Sequence, residues 1–311
     1  MATEHASRRY KGLDLWDSSE ILDALVEGQL AAVAAVRAVR AELEAAAAGI
    51  EARLARGGRL AYAGAGTSGR LAVQDGAELT PTFSWPSDRL VFLIAGGETA
   101  LLRPVEGAED HESEGAAAAR DAGLSENDAL IGLAASGTTP FTLGCLRAAK
   151  SAGALTVGIA NNPGGPLLTE ADHGIWLDTG PEVIAGSTRM KAGTAQKIAL
   201  NLVSSLVMIR LGRVHDGLMV EVQATNAKLV RRSEKMLAEL TGCSAEEARA
   251  ALSAADGNVK LAVLVAGGRS VADARAALDR AGGRLRTALG GHDAGAGSQE
   301  AGSSRRRSGT P

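Results

Sequence analysis

Short apolar runs recur along the chain between longer stretches of helical periodicity, and this alternation predicts an α/β fold. The runs lie at residues 59–65, 90–95, 129–134, 154–160 and 174–177. Strands of that length separated by helices form a parallel sheet with right-handed crossovers. Ahead of the first run, Asp17-Ser18-Ser19-Glu20 reads as an N-cap with an acid three residues on, and Ala- and Leu-rich sequence follows to Leu54; one or two long helices are expected there. A further helix is predicted over 188–211, with Ile198, Leu202, Val203, Leu206 and Ile209 on one side, to pack on the sheet or on a partner subunit. Beyond Gly217 the composition changes. Residues 236–289 hold short helical patterns punctuated by Gly242, Gly257, Gly267-Gly268 and Gly282-Gly283, and from Gly290 the chain is Gly/Ser/Ala-rich. The expected organisation is an N-terminal helical segment at 1–56, a parallel-sheet domain at 57–217, a small helical domain at 218–289 and a disordered tail at 290–311.

Composition narrows the function classes. Hydrophobic residues make up 45% of 311 and aromatics only 3%, so the core is expected to be built from Ala, Leu, Val and Ile. A net charge of -3 offers no electrostatic reason to bind nucleic acid or an anionic membrane. The basic run Arg305-Arg306-Arg307 sits in the Gly/Ser tail and reads as a solvated end. Cys145 and Cys243 stand far apart, which suggests neither a disulfide framework nor a zinc ribbon, but a reducing cytosol. No apolar run reaches the roughly 20 residues of a membrane span, and the N-terminus has no signal pattern. Five histidines lack metal-ligand spacing; even His111, flanked by Glu109, Asp110 and Glu112, reads as a solvated residue rather than a ligand.

The candidate chemistry begins where the first strand runs into Gly64-Ala65-Gly66-Thr67-Ser68-Gly69 and then a helical pattern. Those glycines fit the dinucleotide fingerprint, but the acid expected about 20 residues on is missing. The next strand-like run ends at Glu98, about 30 residues downstream. Gly66, Thr67 and Ser68 suit a compact phosphate ester better, since hydroxyls and free N–H groups at a helix start can wrap a dianion. A second hydroxyl turn, Ser136-Gly137-Thr138-Thr139-Pro140, also precedes a helix, and the two turns could close on one sugar phosphate. A third segment, Gly186-Ser187-Thr188-Arg189-Met190-Lys191, opens the long helix. Ser187 or Thr188 is the expected N-cap, while Arg189 and Lys191 oppose the helix dipole unless a ligand anion or a carboxylate offsets them. Glu78, after the first cradle, and Glu109, in the loop after the second run, are the acids placed to divide general acid and base roles.

Taken together, Gly64-Ala65-Gly66-Thr67-Ser68-Gly69-Arg70, Ile94-Ala95-Gly96-Gly97-Glu98, Glu106-Gly107-Ala108-Glu109-Asp110, Ser136-Gly137-x-Thr139-Pro140 and Gly186-Ser187-Thr188-Arg189-Met190-Lys191 resemble the N-acetylmuramic acid 6-phosphate etherase family, over about 13–289. The last motif also resembles the signature of the glucokinase regulatory protein. The resemblance implies a sugar isomerase (SIS) domain and a cytosolic homodimer with its sites near the subunit interface. It implies a lyase that removes D-lactate from N-acetylmuramic acid 6-phosphate to give N-acetylglucosamine 6-phosphate in cell-wall recycling, with no metal or redox cofactor. The family's two glutamates fall on Glu78 and Glu109, and its phosphate-binding hydroxyls on Thr67, Ser68, Ser136 and Thr139. Family members commonly carry Asp-Ala-Ser-Glu-Cys-Pro-Pro-Thr around the first glutamate; this chain has Gly76 and Leu79 within Asp75-Gly76-Ala77-Glu78-Leu79-Thr80-Pro81-Thr82. The alternatives are a sugar-phosphate isomerase of the same fold, which needs no acid at C3, and a non-catalytic sugar-phosphate sensor.

Overall fold

The computed structural model describes residues 1–222 and 227–290. It divides into two compact units that meet between Met208 and Ile209. The expected tail lies, from residue 291, outside the described residues.

The first unit is built on five parallel strands, β1 (Leu60–Gly64), β2 (Leu90–Ile94), β3 (Ala129–Leu133), β4 (Leu155–Ala160) and β5 (His173–Trp176), in the order β2-β1-β3-β4-β5. Each predicted run became a strand, shortened or shifted by a residue. The central strands β1 and β3 are buried along their whole length, as sheets covered on both faces require. Ala61, Ala63, Leu93 and Leu130 pack into one cluster with the helices α5 (Glu112–Asp121) and α6 (Pro140–Ser151). The alternate positions, Tyr62 among them, turn to the other face, where α2 (Arg40–Leu54) and α3 (Gly66–Phe83) lie. Cα-to-backbone approach replaces aromatic bulk between α5 and α6, where a Cβ on Gly144 would collide with the carbonyl of Glu112. At the sheet's entry edge Asp128 accepts hydrogen bonds from Arg59 N (2.7 Å), Arg59 Nη2 (2.9 Å) and Ser125 N (2.8 Å). Burial alone would raise that carboxyl, but the Arg59 and Ser125 bonds hold it below the usual carboxylate value.

The capping box at Asp17 and Glu20 starts α1 (Ser18–Ala38), as expected. The short helices α4 (Thr99–Leu102) and α7 (Pro166–Thr169) follow β2 and β4. The helix α8 (Lys191–Arg210) departs from expectation in two ways. It begins three residues later than predicted, and its inward stripe is Ala192, Ala195, Ala199, Val203 and Val207, whereas Leu202 and Ile209 are about half exposed. α1 has the same inverted pattern: Ala24, Gly28, Ala32 and Ala35 are buried, and Leu22, Val26, Leu30 and Val33 are exposed. Small residues let these helices sit close to their own chain, so the larger apolar side chains end on the outer surface. α8 is also long and apolar enough by composition to cross a membrane, but over half of that stretch is buried within the protein.

The second unit opens with a hairpin of β6 (Val214–His215) and β7 (Leu218–Met219). Leu218 and Val220, just past the composition change at Gly217, join the core of this unit. Its helices are α9 (Ala227–Thr241), α10 (Ala245–Ala254), α11 (Val259–Ala266), α12 (Val271–Arg280) and α13 (Leu285–Ala288). Ser244, Asn258 and Ser270 each cap a helix with a side-chain hydrogen bond.

Candidate active site

The first cradle is formed by backbone more than by side chains. β1 runs out at Gly64, Ala65 stays extended, and α3 starts at Gly66 with a φ of +53°, which a residue with a side chain adopts only under strain. Gly64 and Gly69 press backbone to backbone: a Cβ on Gly69 would lie 2.9 Å from the Gly64 carbonyl oxygen. The fingerprint spacing is thus explained by strand–helix packing, independently of any dinucleotide. Thr67 is half-buried against the start of α8, its Cγ2 3.3 Å from where a Cβ on Gly193 would sit. Ser68 is buried, and its hydroxyl donates to Gln196 Oε1 at 2.8 Å; Gln196 Nε2 in turn donates to Asn161 Oδ1 at 2.9 Å. Ser68 therefore ties the cradle to α8 and retains only acceptor capacity for a ligand.

The second turn lies at the end of β3. Gly137 has a φ of +75°, the hydroxyls of Ser136 and Thr139 are 3.3 Å apart, and Thr138 N donates to Ser136 Oγ at 3.1 Å. Thr139 is the N-cap of α6 but makes no side-chain capping bond, so the first turn of that helix and its dipole face the turn uncapped by the protein's own side chain. Both hydroxyl turns follow the carboxyl ends of neighbouring strands, where ligands bind in sheets of this kind.

The third segment corrects the expected cap. Neither Ser187 nor Thr188 caps α8. Glu182, fully buried at 0% exposure, accepts from Lys191 N at 3.0 Å and from Ala192 N at 2.9 Å. This carboxylate offsets the cations of the first turn. Lys191 is itself 5% exposed, with its stem against the Gly28 backbone of α1, on the opposite side of α8 from Gly193 and Thr67. Burial lowers its ammonium pKa, with the Glu182 charge acting in the other direction. Lys191 therefore does not face the cradle, and Ser187 and Thr188 form the turn before the helix, the Thr188 carbonyl accepting from Gly193 N at 2.8 Å.

Glu78 lies further along α3, in a cleft of about 190 Å³ walled by Leu71, Gln74, Asp75, Lys197 and Asn201. Beneath it Asp75 is held by Tyr62, Asn201 and Ser204. Glu109 is not among the cleft's walls; it is exposed on a short turn, Ala108–Asp110, after Gly107. Twelve residues of α3 separate Gly66 from Glu78, about 18 Å of helix axis at ~1.5 Å per residue. Within one chain the structure thus brings Thr67, Ser68 and the start of α8 together, and it sets Glu78 in a separate cleft.

Sequence reading missed Asp75, Glu182, Gln196 and the N-terminal clasp. In that clasp the buried Thr3 accepts from Asn162 Nδ2 at 2.9 Å, and the same amide donates to the carbonyl of Ala135, next to Ser136. Among the described residues no group of three or more His, Cys, Asp or Glu side chains could hold a metal ion.

Comparison with known proteins agrees with this geometry. Residues 42–150 match the glucokinase regulatory protein N-terminal SIS domain, and residues 108–206 match the SIS domain. The N-acetylmuramic acid 6-phosphate etherase of Deinococcus radiodurans is 52% identical over 289 residues, covering 93% of this chain and 95% of that protein. Those of Streptomyces avermitilis and Mycolicibacterium smegmatis are 47% and 45% identical, covering 85% and 93% of this chain and 86% and 98% of theirs. With a parallel-sheet SIS domain, two hydroxyl turns at its strand ends and identity at this level along nearly the whole chain, the protein belongs to the N-acetylmuramic acid 6-phosphate etherase family.

Proposed function

We propose that the protein is a carbon–oxygen lyase of amino sugar recycling that cleaves the lactyl ether of N-acetylmuramic acid 6-phosphate. The observation that carries this reading is the 52% identity to the Deinococcus etherase, sustained over 289 residues. The chemistry suits the residues present. In the open-chain sugar the ether oxygen on C3 is β to the aldehyde, so a base that takes the C2 proton lets the C3–O bond break. Its electron pair leaves with the lactyl oxygen, which takes a proton from an acid. Water then adds to C3 of the unsaturated aldehyde and a proton returns to C2, giving N-acetylglucosamine 6-phosphate and D-lactate.

In this reading Glu78 protonates the departing oxygen and Glu109 removes the C2 proton, each such transfer being worth roughly 10²- to 10⁴-fold in rate. Thr67, Ser136, Thr139 and the helix starts behind them hold the 6-phosphate, which lies away from the reacting carbons and so fixes their position. The isomerase alternative leaves Glu78 and its cleft without a task.

The active form in this reading is a cytoplasmic homodimer, and Glu78 serves the sugar held in the partner's cradle. Two observations support the sharing. About 18 Å of helix between Gly66 and Glu78 exceeds the few bonds from the 6-phosphate to C3. The chain also exposes apolar side chains of the kind a partner subunit covers: Leu202, next in sequence to the cleft residue Asn201, and Leu22, Val26, Leu30 and Val33 on α1. The first test is whether the purified protein releases D-lactate from N-acetylmuramic acid 6-phosphate. Release is expected; its absence, with aldose–ketose interconversion of a sugar phosphate instead, would replace this reading by the isomerase.

A further inference from the structure

Asp75 lies one helical turn before Glu78 and is only 5% exposed, at the floor of the cleft that Glu78 shares with Lys197 and Asn201. Its Oδ2 accepts from the Tyr62 hydroxyl at 2.9 Å, and its Oδ1 from Asn201 Nδ2 at 2.6 Å and from Ser204 Oγ at 3.1 Å. Those donors stand on β1 and α8. One carboxyl therefore ties α3 to the strand beneath it and the helix beside it, at the turn that carries Glu78.

The neighbouring positions sharpen this attachment. A Cβ on Gly76 would lie 2.5 Å from Phe92 Cε1 and 2.9 Å from Tyr62 Cε2, so α3 rests directly on the stacked Tyr62 and Phe92 rings, whose centroids are 5.9 Å apart. Leu79 is buried on the same side. Two of the four positions that part from the family's usual pattern, Gly76 and Leu79, thus face the sheet, while Gln74 and Glu78 face the cleft. Gly76 brings the Tyr62 hydroxyl within reach of Asp75.

A carboxyl buried on three uncharged donors is an unfavourable way merely to join two helices and a strand, because well-packed apolar side chains do that at no desolvation cost. Burial raises the Asp75 carboxyl, against the three hydrogen bonds and the Lys197 charge. Its location at the floor of the reactive cleft supplies a reason for the expense. We propose that Asp75 is a positioning residue for proton delivery: through Asn201 and the rotation of α3 it holds Glu78 where the departing oxygen receives its proton. This rests on Glu78 being the acid.

The test uses the full chain and its substrate in deuterated water, and measures lactate release and C2 deuterium exchange separately. Asp75→Asn keeps the shape but turns an amide donor toward groups that already donate. Lactate release is expected to fall by roughly 10- to 100-fold, the scale of a misplaced catalytic group, with KM and C2 exchange close to the parent's. Tyr62→Phe removes one donor and adds none; it should shift the same partition by a few-fold, and it serves if Asp75→Asn does not fold. Equal loss of both reactions in step with thermal stability, in either variant, would reduce Asp75 to a structural tie. Parent-like lactate release in both folded variants would also overturn the proposal. Glu78→Ala run alongside separates the two levels: if it releases lactate at the parent rate, the acid assignment itself fails, whatever Asp75 does.

Discussion

The two hydroxyl turns and the Glu78 cleft are made of opposite materials. Around Thr67, Ser136 and Thr139 the site consists of glycine turns, helix starts and hydroxyls, with Ser68 turned inward to Gln196. The cleft gathers two carboxyls and an ammonium, one of the carboxyls buried on a network from three elements. The difference follows from what each part is asked to do. A phosphate that does not react needs fixed donors whose charge never changes. Proton transfer needs a titratable group, and such a group must be held by others to be useful.

If that division is right, the two regions break differently. The largest effect is expected from Glu78→Ala, which should lower kcat for lactate release by roughly 10²- to 10⁴-fold, with KM little changed and the melting temperature intact because the side chain is exposed. Mixing this variant with Thr67→Val/Ser136→Ala, after dissociation and reassociation, should at substrate well below saturation give more lactate release than the two variants give separately. A mixture no more active than its components would place each site within one subunit. The double variant Thr67→Val/Ser136→Ala by itself should raise KM by about 10-fold or more, since a hydrogen bond to a charged group is worth roughly 1.5–3 kcal/mol. A fall in kcat at constant KM would erase the distinction between the two regions. The smallest kinetic effect belongs to Asp128→Asn, at the opposite edge of the sheet. It should lower the melting temperature and leave kcat and KM alone. Because the folded Asp128 carboxyl titrates below its ordinary value of 3.8, the stability it supplies is fully present above that pH and is lost as the pH falls through the lower folded value. The parent and this variant should therefore converge in stability on acidification.

The sheet was legible in the sequence because each strand is a compact apolar run bounded by turns, and such a signal is local. The hydroxyl turns were legible for the same reason. Glu182 was not, because the carboxylate that caps α8 lies nine residues before Lys191 in a loop without periodicity. Ser68 looked like a phosphate donor from its place in the cradle, yet its partner Gln196 is 128 residues away. The clasp between Thr3 and Asn162 spans 159 residues. The apolar pattern of α8 was visible, but it does not reveal which apolar stripe faces inward. Ala192, Ala195 and Ala199 take that side because close approach to the chain favours small residues, and Leu202 is left outside. Asp75 carried no signal either, since its importance comes from donors on β1 and α8 that meet only in the folded chain.

The most direct test of the account is to incubate the unaltered protein with N-acetylmuramic acid 6-phosphate in deuterated water and follow both D-lactate and deuterium at C2 of the sugar product. Lactate release accompanied by deuterium at C2 is the predicted result, since the C2 proton must leave before the ether can. Lactate released with the original hydrogen still on C2 would contradict elimination and addition, and with it the roles assigned to Glu78 and Glu109.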